Sequence, residues 1–191
     1  PLSATNPLRG GDTVTGAVGV LTYGFGGDAN ASPNAFRVRP VGALGGAATF
    51  EATNPRPAGT PDVGGTLRVG SANLLNFFNT FSGCTLGVGG PTAGCRGAEN
   101  QLEYDRQLPK QVLAITSLGV DLLGVNEIEN DGYGPSSSVA VLVDALNAAE
   151  GAGTWAFVDA DAGTGVTNSA GTDAIRTALL YKPAAVTPLE G

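Results

Sequence analysis

The feature that most constrains this chain is a change in the spacing of its apolar residues between positions 67 and 181. Short apolar stretches that are typical of buried strands alternate with longer stretches in which apolar residues recur every three or four positions, as on one face of a helix. The strand-like stretches are 67–72, 121–127, 154–158 and 175–181, and the helix-like stretches are 99–118 and 137–149. This order predicts a layered α/β (α+β) domain with the element sequence β-α-β-α-β-β.

The two predicted helices carry different local signals. Pro109 lies inside the first, so we expect that helix either to kink there or to restart with Pro109 in its first turn. The second helix has a capping residue at Ser136 or Ser137. Its apolar face is formed by Val139, Leu142, Val143 and Leu146.

The segment before position 66 has a different character. Strand patterns at 13–23 and 35–39 are separated by a turn cluster at 26–30. Two strands do not form a stable domain alone, so we interpret residues 1–53 as the end of an upstream β-domain. A Pro- and Gly-rich connector at 54–65 leads into the α/β domain at 66–191.

The net charge of −7 limits the possible partners. An acidic chain repels phosphate backbones at long range, which excludes nucleic-acid binding by broad release of counterions. A metal enzyme escapes this limit because bound cations reverse the local charge. The alternative is that the charge only keeps the protein soluble. The sequence has no apolar run of membrane-spanning length, so we expect no membrane contact, and it leaves the oligomeric state undefined.

The two cysteines, Cys84 and Cys95, bracket a stretch of loop-forming residues. This arrangement favours a local disulfide, which implies an oxidising compartment and hence an extracellular or cell-surface protein. Free thiols are the alternative. A zinc site would need more soft ligands, and the chain has 0 histidines. The same lack of histidine excludes a complete His-based catalytic centre within these residues.

Two polar residues at strand ends are candidates for metal or phosphate chemistry. Asn73 ends the first strand of the α/β domain, and Glu127 lies at the end of an apolar run. A carboxylate in such a run is costly unless it is paired or binds a cation, and Mg²⁺ prefers oxygen ligands. The alternative for Asn73 is that it caps its own turn. The alternative for Glu127 is an ion pair with Arg68 or Arg106.

Charged residues near the last strand form a second candidate group. Asp173 precedes that strand, and Arg176 and Lys182 are cations that could contact a phosphate. The alternatives are a turn residue for Asp173 and a solvated strand face for both cations. Glu129 is expected to lie beyond the end of its strand, in solvent, and Asp131 to lie in a turn.

Four ordered motifs together resemble bacterial extracellular nucleases of the endonuclease/exonuclease/phosphatase superfamily. They are LRVGSANLLNFF (67–78), CRGA with EYDRQ (95–107), DLLGVNEIENDG (121–132) and GTDAIRTALLYKP (171–183). The resemblance covers about residues 10–190. The segment at 54–57 is similar to the connector that precedes the catalytic domain in that family, and the upstream strands are similar to the end of its OB-like β-domain.

The resemblance implies a four-layered α/β sandwich and hydrolysis of phosphodiester bonds by a metal-activated water. It assigns Glu127 as the metal-binding glutamate and Asn73 as the asparagine that contacts the metal or its water. Asp173 and Arg176 match its substrate-side segment. The implied cofactor is a divalent metal, with Mg²⁺ preferred and Mn²⁺ or Ca²⁺ as alternatives. The implied substrate is nucleic acid, with DNA favoured over RNA.

The family also takes a histidine, an Asp-x-Asn pair and a late Asp-His from the second half of its domain; this sequence shows no match to that half and has 0 histidines. We therefore expect an incomplete sandwich whose missing half carries these residues, and we expect the 191 residues alone to be inactive and unstable. A nucleotidase or phospholipid phosphodiesterase on the same fold is the enzymatic alternative. A non-catalytic extracellular β-rich binding module is the alternative from another class of protein.

Overall fold

The computed structural model describes residues 9–25, 34–45, 49–55, 57 and 59–189. The chain forms two compact units, Pro1–Ala58 and Gly59–Gly191. The boundary between them falls within the predicted connector at 54–65. No helix in the described part of the chain combines the length and the apolar character that crossing a membrane requires.

The first unit contains two antiparallel strand pairs. Its strands are β1 (Thr13–Thr15), β2 (Gly19–Phe25), β3 (Asn34–Pro40) and β4 (Thr49–Glu51), with a 3-10 helix at Gly42–Leu44. β1 pairs with β4, and β2 pairs with β3. The stretch predicted as one strand at 13–23 is two strands, because Gly16 adopts a positive φ of 68° between them. The turn cluster predicted at 26–30 lies outside the described residues.

The second unit has mixed α/β architecture, which confirms the predicted α/β (α+β) class. Its elements are β5 (Val69–Phe77), α1 (Gln101–Leu118), β6 (Leu122–Glu129), α2 (Ser138–Glu150), β7 (Ala156–Phe157), α3 (Ala160–Thr164) and β8 (Ile175–Tyr181). The sheet order is β5-β6-β8-β7. β5 and β6 are parallel, as a connection through a helix allows, and the other pairs are antiparallel. The short α3 was not predicted, since it runs into a Gly- and Thr-rich stretch, 163–172, that is typical of a loop.

Both long helices have the predicted positions. α1 is continuous through Pro109, so it does not restart there; the proline is exposed and removes only one backbone hydrogen bond, whose acceptor can bind water. Asn100 caps α1 by accepting a hydrogen bond from the Glu103 amide at 3.1 Å. Ser137 caps α2, as predicted, by accepting from the Ala140 amide at 3.4 Å.

The core lies between one face of the sheet and the two long helices. The predicted apolar face of α2 is fully or almost fully buried, and Leu123, Val125 and Leu180 meet it from the sheet. The opposite face of the sheet is different. Val69 and Leu179, which point away from the helices by strand alternation, are exposed in the described part of the chain.

A disulfide joins Cys84 to Cys95, with the two Cα atoms 5.2 Å apart, so the predicted pairing is confirmed and the free-thiol alternative is wrong. Cys84 is buried in a small second cluster with Phe78 and Ala174. The bridge closes the loop after β5, and the packing of Cys84 against Ala174 holds this loop against the start of β8.

Candidate functional site

The structure brings Asn73 and Glu127 together at the bulged ends of two neighbouring parallel strands. The Asn73 side-chain Nδ2 donates to Glu127 Oε1 at 2.8 Å. The backbone amide of Asn76 donates to the other carboxylate oxygen, Oε2, at 3.2 Å. The Glu127 carboxylate is thus held by two donors from β5. The Glu127 residue is half-buried, while Asn73 is exposed, so the site faces solvent.

Interruptions of the strand register create this arrangement. Between the pairs Asn73–Asn126 and Phe77–Ile128, β5 has three residues and β6 has one. Against β8, β6 has an extra residue between Val125 and Ile128. Strict alternation would place position 127 on the same face as Leu123 and Val125. The extra residue instead gives the core position to Ile128, which is fully buried, and it frees Glu127 from the core.

The backbone of the site is strained. Leu75, Asn76 and Glu127 have positive φ angles of 55°, 53° and 59°. Asparagine tolerates this conformation, but leucine and glutamate rarely adopt it, at a cost of order 1–3 kcal/mol for each of Leu75 and Glu127. Such outliers concentrate at functional sites, where the surrounding structure holds them. Three positive φ angles lie at or beside the Glu127 carboxylate, which makes this end of the sheet a candidate for ligand binding.

Asn73 caps its own turn, which is the alternative interpretation of this residue, and its contact with a metal or a phosphate stays a prediction. Its Oδ1 accepts a hydrogen bond from the Leu75 amide at 2.8 Å, which is the capping of its own turn. Its Nδ2 faces Glu127. The turn cap uses Oδ1, the only acceptor atom of this side chain, and the donor Nδ2 is directed at the Glu127 carboxylate.

The ion-pair alternative for Glu127 is wrong. In the described part of the chain, which includes Arg68 and Arg106, the ion pairs are Arg96–Asp173 and Lys182–Glu150. Each oxygen of Glu127 accepts one hydrogen bond from the groups described above, whereas a carboxylate oxygen offers two lone pairs. The carboxylate therefore retains capacity for a further ligand.

Glu129 is not in solvent, which corrects the prediction for this residue. β6 continues through Glu129, whose exposed fraction is 4%. Its Oε2 accepts from the amides of Asn79 and Thr80 and from the Ser138 hydroxyl, at 3.1, 3.2 and 3.0 Å. Burial of the charge is tolerated because these donors replace water. We call this arrangement the closed junction: Glu129, Asn79, Thr80 and Ser138.

Asp131 lies beside the closed junction. Its Oδ2 accepts from the Ser138 amide at 2.8 Å, at the beginning of α2. Its Oδ1 is buried and has no hydrogen-bond partner among the described residues. Burial raises the pKa of Asp131 to about 6, and the nearby charge of Glu129 acts in the same direction.

The structure places Arg176 inside the fold rather than on a solvated strand face. Its exposed fraction is 5%, so that alternative is wrong for this residue. The guanidinium carbon lies 3.9 Å from the centre of the Tyr133 ring, and Nη2 donates to the Gly132 carbonyl at 2.6 Å. These contacts occupy one face and one edge of the guanidinium. The substrate-side role of Arg176 stays a prediction.

Asp173 lies at the surface in a bidentate ion pair. Its two oxygens accept from Arg96 Nη1 and Nη2 at 3.2 and 2.7 Å. Hydrogen bonding to Arg96 lowers the pKa of the Asp173 carboxyl below its usual value. Asp173 also accepts from the Ala174 amide at 2.7 Å, as a turn residue would. Lys182 pairs with Glu150 at 3.0 Å and lies over the Trp155 ring.

A surface pocket of about 360 Å³ adjoins the bulge. Asn76, which donates to Glu127, forms part of its wall together with Leu75, and Arg96 and Gln107 form another part. The pocket thus has on its wall one residue that binds Glu127, Asn76, and one cation that Asp173 holds in place, Arg96. Arg96 lies in the CRGA motif, but no local pattern in the sequence indicated that it would line this pocket.

The residues around Glu127 fit a cation that keeps most of its waters. No group of three or more His, Cys, Asp or Glu side chains within reach of one ion occurs in the described part of the chain. A closed zinc or calcium cage, which needs four or more protein ligands, does not match this donor set. Mg²⁺ is commonly bound through one or two carboxylates and several waters, and Glu127 offers one carboxylate.

Several residues of the site could not be identified from sequence. Asn76, Gln107 and Gln111 contact the bulge or the carboxylate, yet each reads as an ordinary polar residue. The one available signal was that Gln107 and Gln111 are four positions apart and hence share a face of α1.

The chain was compared with protein-family models, with curated proteins and with solved structures, and none of the three comparisons found a match.

Proposed function

We propose that these residues carry one side of the active site of a secreted, metal-dependent phosphodiesterase of the endonuclease/exonuclease/phosphatase type, acting on nucleic acid. The observation that carries the proposal is the half-buried Glu127 carboxylate, held by Asn73 and the Asn76 amide on strained backbone. A fold that retains about 1–3 kcal/mol of strain at each such position to present a carboxylate to solvent is consistent with a ligand-binding role.

In this proposal Glu127 is the protein's carboxylate ligand to a divalent cation, with Mg²⁺ or Mn²⁺ favoured over Ca²⁺. A bound cation supplies charge neutralisation at a phosphate oxygen and activation of a water molecule. Asn73 orients Glu127 through Nδ2. The cation also offsets the repulsion between a phosphate and a chain of net charge −7.

The proposed fold is the four-layered sandwich. The exposed sheet face supports it, because a groove of about 300 Å³ lies there between β5, β6 and β8, and its lining is mostly apolar. In a sandwich, a second sheet packs face to face against such an apolar surface. The resemblance implies a catalytic histidine that these 191 residues do not contain, so activity is to be measured on the full-length protein.

Nucleic acid is the proposed substrate, with DNA favoured. In the first unit, the rings of Tyr23 and Phe36 lie 4.8 Å apart across the β2–β3 pair, and their exposed fractions are 63% and 72%. Exposed aromatic side chains on a strand pair are the platforms on which bases of single strands stack. The disulfide supports an extracellular location. Parallel assays on DNA, RNA and a phospholipid separate a nuclease from the lipid-directed alternative.

The test of the proposal is Glu127→Gln in the full-length protein. The substitution keeps the shape and removes the charge, so metal-dependent hydrolysis of DNA is expected to fall more than about a hundredfold while thermal unfolding is unchanged. Glu99→Gln, at an exposed glutamate, makes the same change of charge as a control. Hydrolysis at the parental rate by Glu127→Gln would remove the basis of the proposal.

A further inference from the structure

The bulge of β5 is held from its far side by two glutamines of α1. Gln111 Nε2 donates to the Leu74 carbonyl at 2.8 Å, and Gln107 Nε2 donates to the Leu75 carbonyl at 3.3 Å. The two glutamines are four positions apart, so both side chains project from one face of the helix. Neither contacts Glu127 directly.

Each glutamine holds a peptide group whose other side serves the site. The Leu74 carbonyl and the Leu75 amide belong to one planar peptide, and the Leu75 carbonyl and the Asn76 amide belong to the next. The Leu75 amide donates to Asn73 Oδ1 at 2.8 Å. The Asn76 amide donates to Glu127 Oε2 at 3.2 Å. In a trans peptide the carbonyl and the N–H point in opposite directions, so fixing one end fixes the other.

We propose that Gln107 and Gln111 are positioning residues, which set the orientation of the Glu127 carboxylate through these two peptides. The inference rests on the proposed function for its link to metal binding. Gln111 acts through the peptide that orients Asn73, and Gln107 acts through the peptide that binds Glu127. We call the two side chains the glutamine latch.

The backbone angles of the bulge explain why the hydrogen bonds of the glutamine latch are needed. Leu75 and Asn76 have φ angles of 55° and 53°, and a leucine leaves this region readily when nothing holds it, whereas an asparagine tolerates it. Rotation of either peptide would relieve strain, and it would also withdraw a donor from Asn73 or from Glu127. The latch opposes this rotation by binding the carbonyl end. The hydrogen bond of Gln107 is longer than that of Gln111, so we expect it to hold its peptide less firmly.

The test uses Gln107→Met and Gln111→Met in the full-length protein, with Gln101→Met as the matched control. Methionine has a similar length and no hydrogen-bond donor. Gln101 lies on the same helix, but its Nε2 donates to Asp105 instead of the bulge. Hydrogen exchange of single amides, followed by NMR, is the first measurement. Loss of one neutral hydrogen bond corresponds to about a fivefold change in an equilibrium.

The expected pattern is specific to each peptide. In Gln111→Met the Leu75 amide exchanges about fivefold faster, and in Gln107→Met the Asn76 amide does so, while amides in the core of β6 and β8 are unchanged. A merely structural role would instead accelerate exchange throughout the unit. Unchanged exchange of Leu75 and Asn76 in both variants, or an equal effect of Gln101→Met, would overturn the latch.

The second measurement is the affinity for Mn²⁺, from the fraction of free ion seen by electron paramagnetic resonance. Loss of residues that orient a metal ligand weakens binding by about tenfold or more, so both latch variants are expected to bind Mn²⁺ about tenfold more weakly than the parent and Gln101→Met. Faster exchange with unchanged Mn²⁺ affinity would overturn the positioning role. If the parent and Glu127→Gln bind Mn²⁺ equally, the metal site proposed above fails, and the latch is decided by amide exchange alone.

Discussion

Two glutamates on one strand, Glu127 and Glu129, have opposite environments. Glu129 belongs to the closed junction, is almost completely buried and has three strong donors on a single oxygen. Glu127 lies two residues away on strained backbone, faces solvent and has one donor on each oxygen. Burial alone therefore does not identify a carboxylate as part of a ligand-binding site. A carboxylate that already accepts several buried hydrogen bonds stabilises the fold, and one with free lone pairs can bind a ligand.

The largest expected effect comes from truncating both glutamates in the same way. Glu129→Ala leaves the Thr80 amide and the Ser138 hydroxyl without their acceptor and leaves the Asn79 amide with Ser138 Oγ alone. We therefore expect the free energy of unfolding to fall by about 3 kcal/mol. Glu127→Ala removes a half-exposed group and is expected to cost less than about 1 kcal/mol. Urea unfolding of both variants measures the contrast. Equal losses would mean that the two environments do not differ as described.

A smaller effect on the free energy of unfolding is expected from the titration of Asp131. Its pKa is about 6 in the folded state, above the ordinary value of 3.8, so the folded state binds a proton more readily than the unfolded state. This contribution to stability is fully present below the ordinary pKa and is lost as the pH rises through about 6. Asp131→Asn should remove roughly 1 kcal/mol of that dependence between about pH 5 and pH 7.

For Asp131, urea unfolding at both pH values gives the free energy of unfolding of the parent and of the variant, and the difference between the two is compared. Using the difference cancels the contributions of other carboxyl groups, including those whose pKa values are lowered, such as Asp173. A parent and a variant with identical pH dependence would show that Asp131 titrates as an ordinary surface carboxyl.

The smallest effect is expected at the exposed ion pair of Arg96 and Asp173. Asp173→Asn keeps the shape and weakens a pair that solvent screens, so the free energy of unfolding should fall only slightly, and by less still in high salt. Thermal unfolding at low and high ionic strength is the measurement. A loss as large as that from Glu129→Ala would place Asp173 among the structural residues.

Local patterns predicted most of the α/β unit. The apolar face of α2 and its cap at Ser137 followed from helical spacing and a side-chain oxygen, both of which act within a few residues. The strand at 175–181 has the predicted bounds because alternation and the following proline are also local signals. The disulfide between Cys84 and Cys95 was predictable because a short loop already brings the two thiols together.

The candidate site was predictable in part. The polar types and strand-end positions of Asn73 and Glu127 marked them as candidates, and the structure places them 2.8 Å apart, between Nδ2 and Oε1. Glu129 was mispredicted because β6 continues through it and the donors to its carboxylate come from other elements. The position of Glu127 outside the core depends on the extra residue in β6. A bulge is a property of the paired strands, so no count of alternating positions along one strand reveals it.

The sequence by itself determined which segments form helices and strands, the class of the fold and the identity of the two candidate residues, since these depend on periodicity and on side-chain chemistry at short range. Only the tertiary structure decided that donors enclose the carboxylate of Glu129 while that of Glu127 faces solvent. It also decided that Arg176 is buried against Tyr133 and that two glutamines of α1 hold the bulge of β5. Those outcomes depend on strand register and on contacts between residues that are 30 or more positions apart, such as Gln107 with Leu75 at a separation of 32.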